Sequence, residues 1–265
     1  MLAVVESASS HLQLTEHSDV TFIASALSVY FVFLWGHIAF ISLCDHNGWL
    51  RRYKVQGGPR SDNPTRQLKR EEHIRKAYVH VVSSHVLSVA AFVALFRPSS
   101  LGIETSHETA PGWSRTLLTL VAWHGIFDTY FYWAHRALHH RAIYAYVHKQ
   151  HHEFKEPTGV AALYAHPVED LLVNSVSTFL GPVLFPAHGS VLLIYFALRF
   201  HETTDAHSGY DFPWSPWRWL GALHGGVAGS KRTALRTVAH THAHTLKKPA
   251  PPPCLHTQRR LWAAV

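Results

Sequence analysis

Five of the histidines in the stretch HRALHHRAIYAYVHKQHH fall at helical spacing. His135 and His139 stand four apart, and His148, His151 and His152 read HxxHH. On a helix, residues three or four apart share a face, so each group would aim several imidazoles at one point. The chain carries 24 histidines, enough for some such pairs to arise by chance. Two groups in close succession beside an apolar segment are another matter, because burying several unpaired imidazoles among apolar neighbours is costly. The pattern is that of metal binding.

Ligand type narrows the metal only partly. Neither group contains CxxC, HExxH or an internal carboxylate, which argues against a structural zinc site or a zincin. Neutral imidazole suits zinc, iron, copper and nickel alike. Five or more imidazoles exceed the needs of one tetrahedral ion, so the count points to two metals. A polar stripe leads into the first group: His124, Asp128, Tyr132, His135 and His139 follow one another at intervals of 4, 4, 3 and 4 within the otherwise apolar LLTLVAWHGIFDTYFYWAHRALH. An ionisable residue inside a membrane helix marks a functional site by default. Asp128 lies two turns before His135, where a carboxylate can accept a ligand's free ring N–H and fix its tautomer. The alternative is that Asp128 and His124 pair with each other.

Four motifs carry a family resemblance. FDTYFYWAHRALHH, YVHKQHHEF, LYAHPVE and HETTDAHSGYDFP together resemble the fatty acid hydroxylase superfamily, and most closely the sterol 4-alpha-methyl oxidases, over roughly residues 115–220. The resemblance implies a di-iron, oxygen-dependent enzyme of the endoplasmic reticulum membrane. It assigns His135 and His139 to a first histidine box, His148, His151 and His152 to a second, and His207 to the ligand set through the HSGYD segment. It implies supporting roles for His166, Asp128, Glu202 and Asp205, which would orient ligands or balance charge; His201 has no counterpart to carry over. The implied substrate is a sterol methylated at carbon 4. Molecular oxygen and an electron donor such as cytochrome b5 with its NAD(P)H-dependent reductase complete the expected partners. Neighbouring members act on fatty acyl chains, sphingoid bases or sterol side chains, and a non-catalytic remnant is the reading from a different class.

Relatives continue past HSGYD into a further HxxHH, and this chain departs from that pattern. Its tail contains no HxxHH; His240, His242 and His244 alternate instead, a spacing that suits one face of a strand and not of a helix. Residues 229–265 are basic, carry a Pro cluster and lack apolar periodicity, so they read as a disordered or aberrant tail. A weakly active or inactive oxygenase is the expectation.

The elements that must position these residues read as an all-α integral membrane bundle. Hydrophobic residues make up 47% of the chain and charged ones 15%, a balance that favours a membrane protein. Residues 21–44, 77–97 and 116–134 are expected to span about 30 Å of hydrocarbon. Residues 171–200 are interrupted by GPVLFPAHG into pieces too short to span, which predicts a re-entrant helical hairpin broken at its tip by Pro182 and Pro186. A histidine-rich helical cap completes the domain at 21–228, between a tail at 1–20 and the tail at 229–265.

Charge orients the whole. Arg51 to Lys76 holds nine Lys and Arg against three acids, whereas the N-terminal tail and Ser99 to Trp113 carry only acidic charge. By the positive-inside rule that loop is cytosolic, and the third span then delivers His135 to the cytosol. The net charge of +7 concentrates beside the membrane, so anionic lipid headgroups, not nucleic acid, are its expected partner. Cys44 and Cys254 are the only cysteines, too few for a disulfide framework.

Overall fold

The computed structural model describes residues 18–54, 64–154 and 157–220. Among these the elements are helical, with one isolated antiparallel bridge between Lys54 and Tyr210. Helix α1 runs Ser18–Asn47 and contains a π-helical segment, Tyr30–Gly36. Helices α2 and α3 are Pro64–Leu95 and Trp113–Leu138. A connection of turns and short 3-10 segments follows. Helix α4 consists of Pro167–Glu169, a second π-helical segment Asp170–Ser175, and Val176–Leu184; helix α5 is Gly189–His207.

Two helices, Ser18–Asn47 and Leu68–Leu95, are long and apolar enough to cross a membrane. The expected third span is a helix of 26 residues, about 39 Å long at 1.5 Å per residue. It has the length, but its Trp, Tyr and His residues dilute its apolar character, and it does not join the other two by composition. Its outer face presents Leu117, Leu118 and Val121, and near the His135 end Tyr132 and Trp133. Val79, Val82, Val86 and Leu87 likewise face outward from α2, an apolar surface a soluble protein would have to bury.

The segment expected as a hairpin forms two helices, and the break between them differs in position from the expected one. Pro182 lies inside Val176–Leu184, and the helix ends at Phe185, with Pro186 in the turn. Each arm packs chiefly on a different neighbour: Val176–Leu184 on α3, and α5 on the π-helical segment of α1. Gly181 permits the first contact, because a Cβ there would come within 2.9 Å of the Trp123 ring. Trp123 Nε1 in turn donates to the Phe185 carbonyl at 3.1 Å. The second arm outruns its apolar stretch. Helix α5 continues through HETTDAH because Glu202 and Asp205 turn into the protein and are buried.

Three apolar clusters hold the bundle. Phe22, Trp123, Leu192, Tyr195 and Phe196 join α1, α3 and α5; Leu34, Ile38, Ala77, Val81 and Val160 join α1 to α2; Ile41, Cys44, Tyr210 and Phe212 join the end of α1 to the HSGYD segment. At this last junction Lys54 Nζ lies 2.6 Å from Asp45 Oδ1 and donates to the Ser208 carbonyl at 3.2 Å, while Tyr210 donates to Asp45 at 2.9 Å. Gly209 makes the turn after α5 with φ of 73°, a conformation side chains disfavour. The tail from 229, with Cys254 and the alternating histidines, and most of the N-terminal tail lie outside the described residues.

Candidate metal centre

His135 occupies the last turn of α3 and His139 its C-cap. The second group departs from expectation: its residues lie on no α-helix. His148 sits in a run of turns closed by its N–H to the Tyr144 carbonyl, and His151–Glu153 form a 3-10 segment. The turns still return the chain every three or four residues, which is why the spacing survives without the helix. They also divide the group.

His148 and His152 face His135 and His139. The Nε2 atoms follow one another at 3.1 Å (His135 to His139), 3.2 Å (His139 to His148) and 2.9 Å (His148 to His152). One donor atom from each of the four lies within 4.8 Å of all the others. Nitrogens bound at about 2.1 Å to one ion stand about 3.0 to 3.4 Å apart, so the arrangement is that of a coordination shell. His148 is fully buried, whereas His139 and His152 are exposed, so the shell opens on their side. His151 points elsewhere. Its Nε2 lies 3.3 Å from His207 Nε2, and its buried Nδ1 has no hydrogen-bond partner among the described residues. The six imidazoles therefore form a group of four and a pair.

Protonation favours ligation in both. Burial, reinforced by the neighbouring imidazoles, lowers the pKa of His135 to about 3 and of His152 to about 4, and holds His151 well below the ordinary 6.5. At neutral pH these rings keep their lone pairs. Glu169 Oε1 accepts from His148 Nδ1 at 2.8 Å, and the Thr203 carbonyl accepts from His207 Nδ1 at 2.8 Å. Each bond places the proton on Nδ1 and leaves Nε2 as donor atom toward the site. Donor chemistry, spacing and tautomer thus all fit metal ions.

The residues expected to support these ligands lie in two places. His166 is the N-cap of α4, its Nδ1 accepting from the Val168 N–H at 3.2 Å. Glu202 accepts from Arg199 and lies 3.9 Å from His124 Nε2; Asp205 accepts from Ser215 Oγ at 3.1 Å. Asp128 acts electrostatically on Tyr195 in this same buried polar group. The carboxylate that touches a ligand is Glu169, which the sequence reading passed over. A signal existed: Glu169 and Asp170 together open the apolar run LLVNSVSTFL, and an acid buried there must find a partner or lose its charge.

A cavity of about 260 Å³ reaches from His151, His207 and Glu169 between α1, α2 and α3 to Ala26, Leu27 and Phe92. Phe127, Phe131, Phe179 and Phe196 give it an aromatic wall.

Two helices long and apolar enough to cross a membrane, a cluster of four imidazoles fit for a metal ion at the end of a third, and a cavity reaching a further imidazole pair define a class of helical proteins with a histidine-built metal site. The chain belongs to the fatty acid hydroxylase family. The family model described as fatty acid hydroxylase matches residues 120–250, which takes in both histidine groups, His207 and the three alternating histidines of the tail. Methylsterol monooxygenase 2-2 of Arabidopsis thaliana is 34% identical over 229 residues, covering 86% of this chain and 82% of its own length. A putative methylsterol monooxygenase of Dictyostelium discoideum is 37% identical over 187 residues, 69% of this chain and 66% of the relative. A very-long-chain aldehyde decarbonylase of Oryza sativa is 36% identical, with 69% and 65% covered. The matched stretch thus spans about two thirds of the length of these last two. No solved structure matches the chain.

Proposed function

We propose that this chain is a membrane-bound, oxygen-dependent lipid hydroxylase of sterol biosynthesis that oxidises the methyl group on carbon 4 of a sterol intermediate. The observation that carries the proposal is the apolar cavity opening onto His151 and His207, beside four imidazoles converging on one point. Two non-haem irons, one held by His135, His139, His148 and His152 and one by His151 and His207 with further ligands, would supply the oxygen activation that an unactivated methyl requires. Neutral imidazoles leave such ions their full charge. Glu169 and the Thr203 carbonyl keep His148 and His207 in the ligating tautomer. His166 acts through Glu169, because it caps the helix on which Glu169 is carried. Glu202, beside Arg199 and His124, balances charge behind the ligands, and so do Asp205, held by Ser215, and Asp128. The aromatic wall excludes water and accepts a rigid hydrocarbon.

The reading extends to the endoplasmic reticulum membrane, with α3 as a third span, residues 167–207 as a re-entrant hairpin, and both histidine groups on the cytosolic side, within reach of cytochrome b5 and its NAD(P)H-dependent reductase. Residues 21–228 form the catalytic domain between the two tails. Similarity to the rice decarbonylase at nearly equal identity favours, as a second reading, an enzyme acting on a fatty acyl or aldehyde chain. Two measurements test the proposal: iron per purified chain, expected near two, and sterol composition of a methyl-oxidase-deficient strain carrying the chain. Absence of bound iron, or accumulation of altered acyl lipids with no change in 4-methyl sterols, overturns the sterol assignment.

A further inference from the structure

Beside its largely apolar lining the cavity carries polar groups at His151, His207 and Glu169 and at Arg199 and Thr203, and a further polar group to which both π-helical segments contribute. Tyr30 opens the segment in α1, Asp170 opens the segment in α4, and both line the cavity with His85 of α2 and Asn174. A π-helical turn sacrifices regular hydrogen bonding and recurs at functional sites. Here two of them bring polar side chains to a single apolar chamber.

Their hydrogen bonds leave a matched donor and acceptor. Trp35 Nε1 donates to Tyr30 Oη at 3.0 Å, and the Tyr30 hydroxyl keeps its own proton to donate to His85 Nδ1, with which it is in close contact, when that ring carries its proton on Nε2. An imidazole that accepts at Nδ1 carries its proton on Nε2. That N–H has no hydrogen-bond partner among the described residues. Asp170 Oδ1 accepts from Asn174 Nδ2 at 3.1 Å, which leaves Oδ2 without one. The carboxylate is near enough to act electrostatically on both Tyr30 and His85. A single O–H group, of water or of an alcohol, both accepts from an N–H and donates to a carboxylate, and in a chamber this apolar an alcohol brings the hydrocarbon that fills the rest.

We infer that His85 and Asp170, aligned by Tyr30, Trp35 and Asn174, bind the hydroxyl of a lipid alcohol and so determine which carbon faces His151 and His207. The inference rests on the proposed reading of the site and deepens it, since a sterol carries one hydroxyl at the ring end, on the carbon next to that bearing the 4-methyl group. Asp170 follows Glu169 directly, so one helix start holds both a ligand's partner and the substrate's anchor. His85 and Asp170 are positioning residues in this account, and they touch no reacting atom.

The test uses the full chain in lipid nanodiscs with two probes, 4,4-dimethylcholestan-3β-ol and its 3-deoxy counterpart. A hydrogen-bonded pair that includes a charged partner should favour the alcohol by about 10 to 100-fold. Asp170→Asn and His85→Phe should reduce that preference to within about 3-fold, with binding of the deoxy sterol and metal content unchanged; His85→Gln, which restores an N–H donor, should recover part of it. Equal binding of the two sterols by the unaltered protein overturns the inference, as does a loss that falls equally on both probes in the variants. Should the protein bind neither sterol but prefer a long-chain alcohol over the alkane, with the preference lost in Asp170→Asn, the anchor stands and the sterol reading falls.

Discussion

At the scale of the residue, the site depends on keeping imidazoles neutral and correctly oriented. Glu169→Gln retains shape but offers an amide where His148 Nδ1–H now meets a carboxylate, and loss of such a partner lowers metal affinity by about 10 to 100-fold; competition with a chelator measures it. The sign of the pH response follows from burial. Because His135 and His152 titrate near 3 and 4 when folded and near 6.5 when unfolded, the unfolded chain takes up protons between about pH 6.5 and 4 that the folded site refuses. Stability of the metal-free protein should therefore fall as pH drops through that window and change little above it, as thermal melts would show. The ligating residues were legible because their spacing is unusual. Glu169 was not, since an adjacent pair of acids, Glu169 and Asp170, carries no periodicity and only burial shows which of them meets a ligand.

At the scale of the element, α1, α2 and α3 were readable from length and apolar content, because a helix in lipid has few other ways to satisfy its backbone. The π-helical segments were not, since one extra residue per turn shifts the apolar pattern too little to register. The extent of α5 was hidden for a different reason: a helix whose polar residues face inward reads as the end of an apolar run. Where helices meet, packing is equally invisible in sequence. Gly181→Val would push a branched side chain into the Trp123 ring, and overpacking of this kind costs about 1 to 3 kcal/mol. Lower thermal stability in detergent is the expected result, and restored stability in Gly181→Ala relative to Val would confirm that volume is the cause.

For the whole molecule, orientation and completeness decide whether the site can work. A glycosylation acceptor engineered near Glu16 should be modified and one near Arg60 should not, since residues 51–76, whose second half the structure makes the first turns of α2 and not a loop, carry the positive excess. The reverse pattern would put the histidine groups on the lumenal side. If the HxxHH motif supplies ligands that this chain lacks, replacing residues from 222 onward with a relative's tail bearing that motif should raise methyl oxidation in a deficient strain by at least about 10-fold. Full activity of the unaltered chain would assign the missing ligands to His240, His242 and His244.

The division of six imidazoles into four and two also has a consequence for the mechanics of the chain. The group of four is drawn from residues 135–152, so an ion there closes only short loops, whereas His151 and His207 are 56 residues apart. Closing a loop removes unfolded-state entropy in proportion to the logarithm of its length. An ion in the first position would thus act as a local clip on the turns after α3, and its removal should raise hydrogen exchange mainly across 140–153. An ion in the second position would tie those turns to the end of α5. Its loss would be felt as a lower melting temperature of the bundle as a whole.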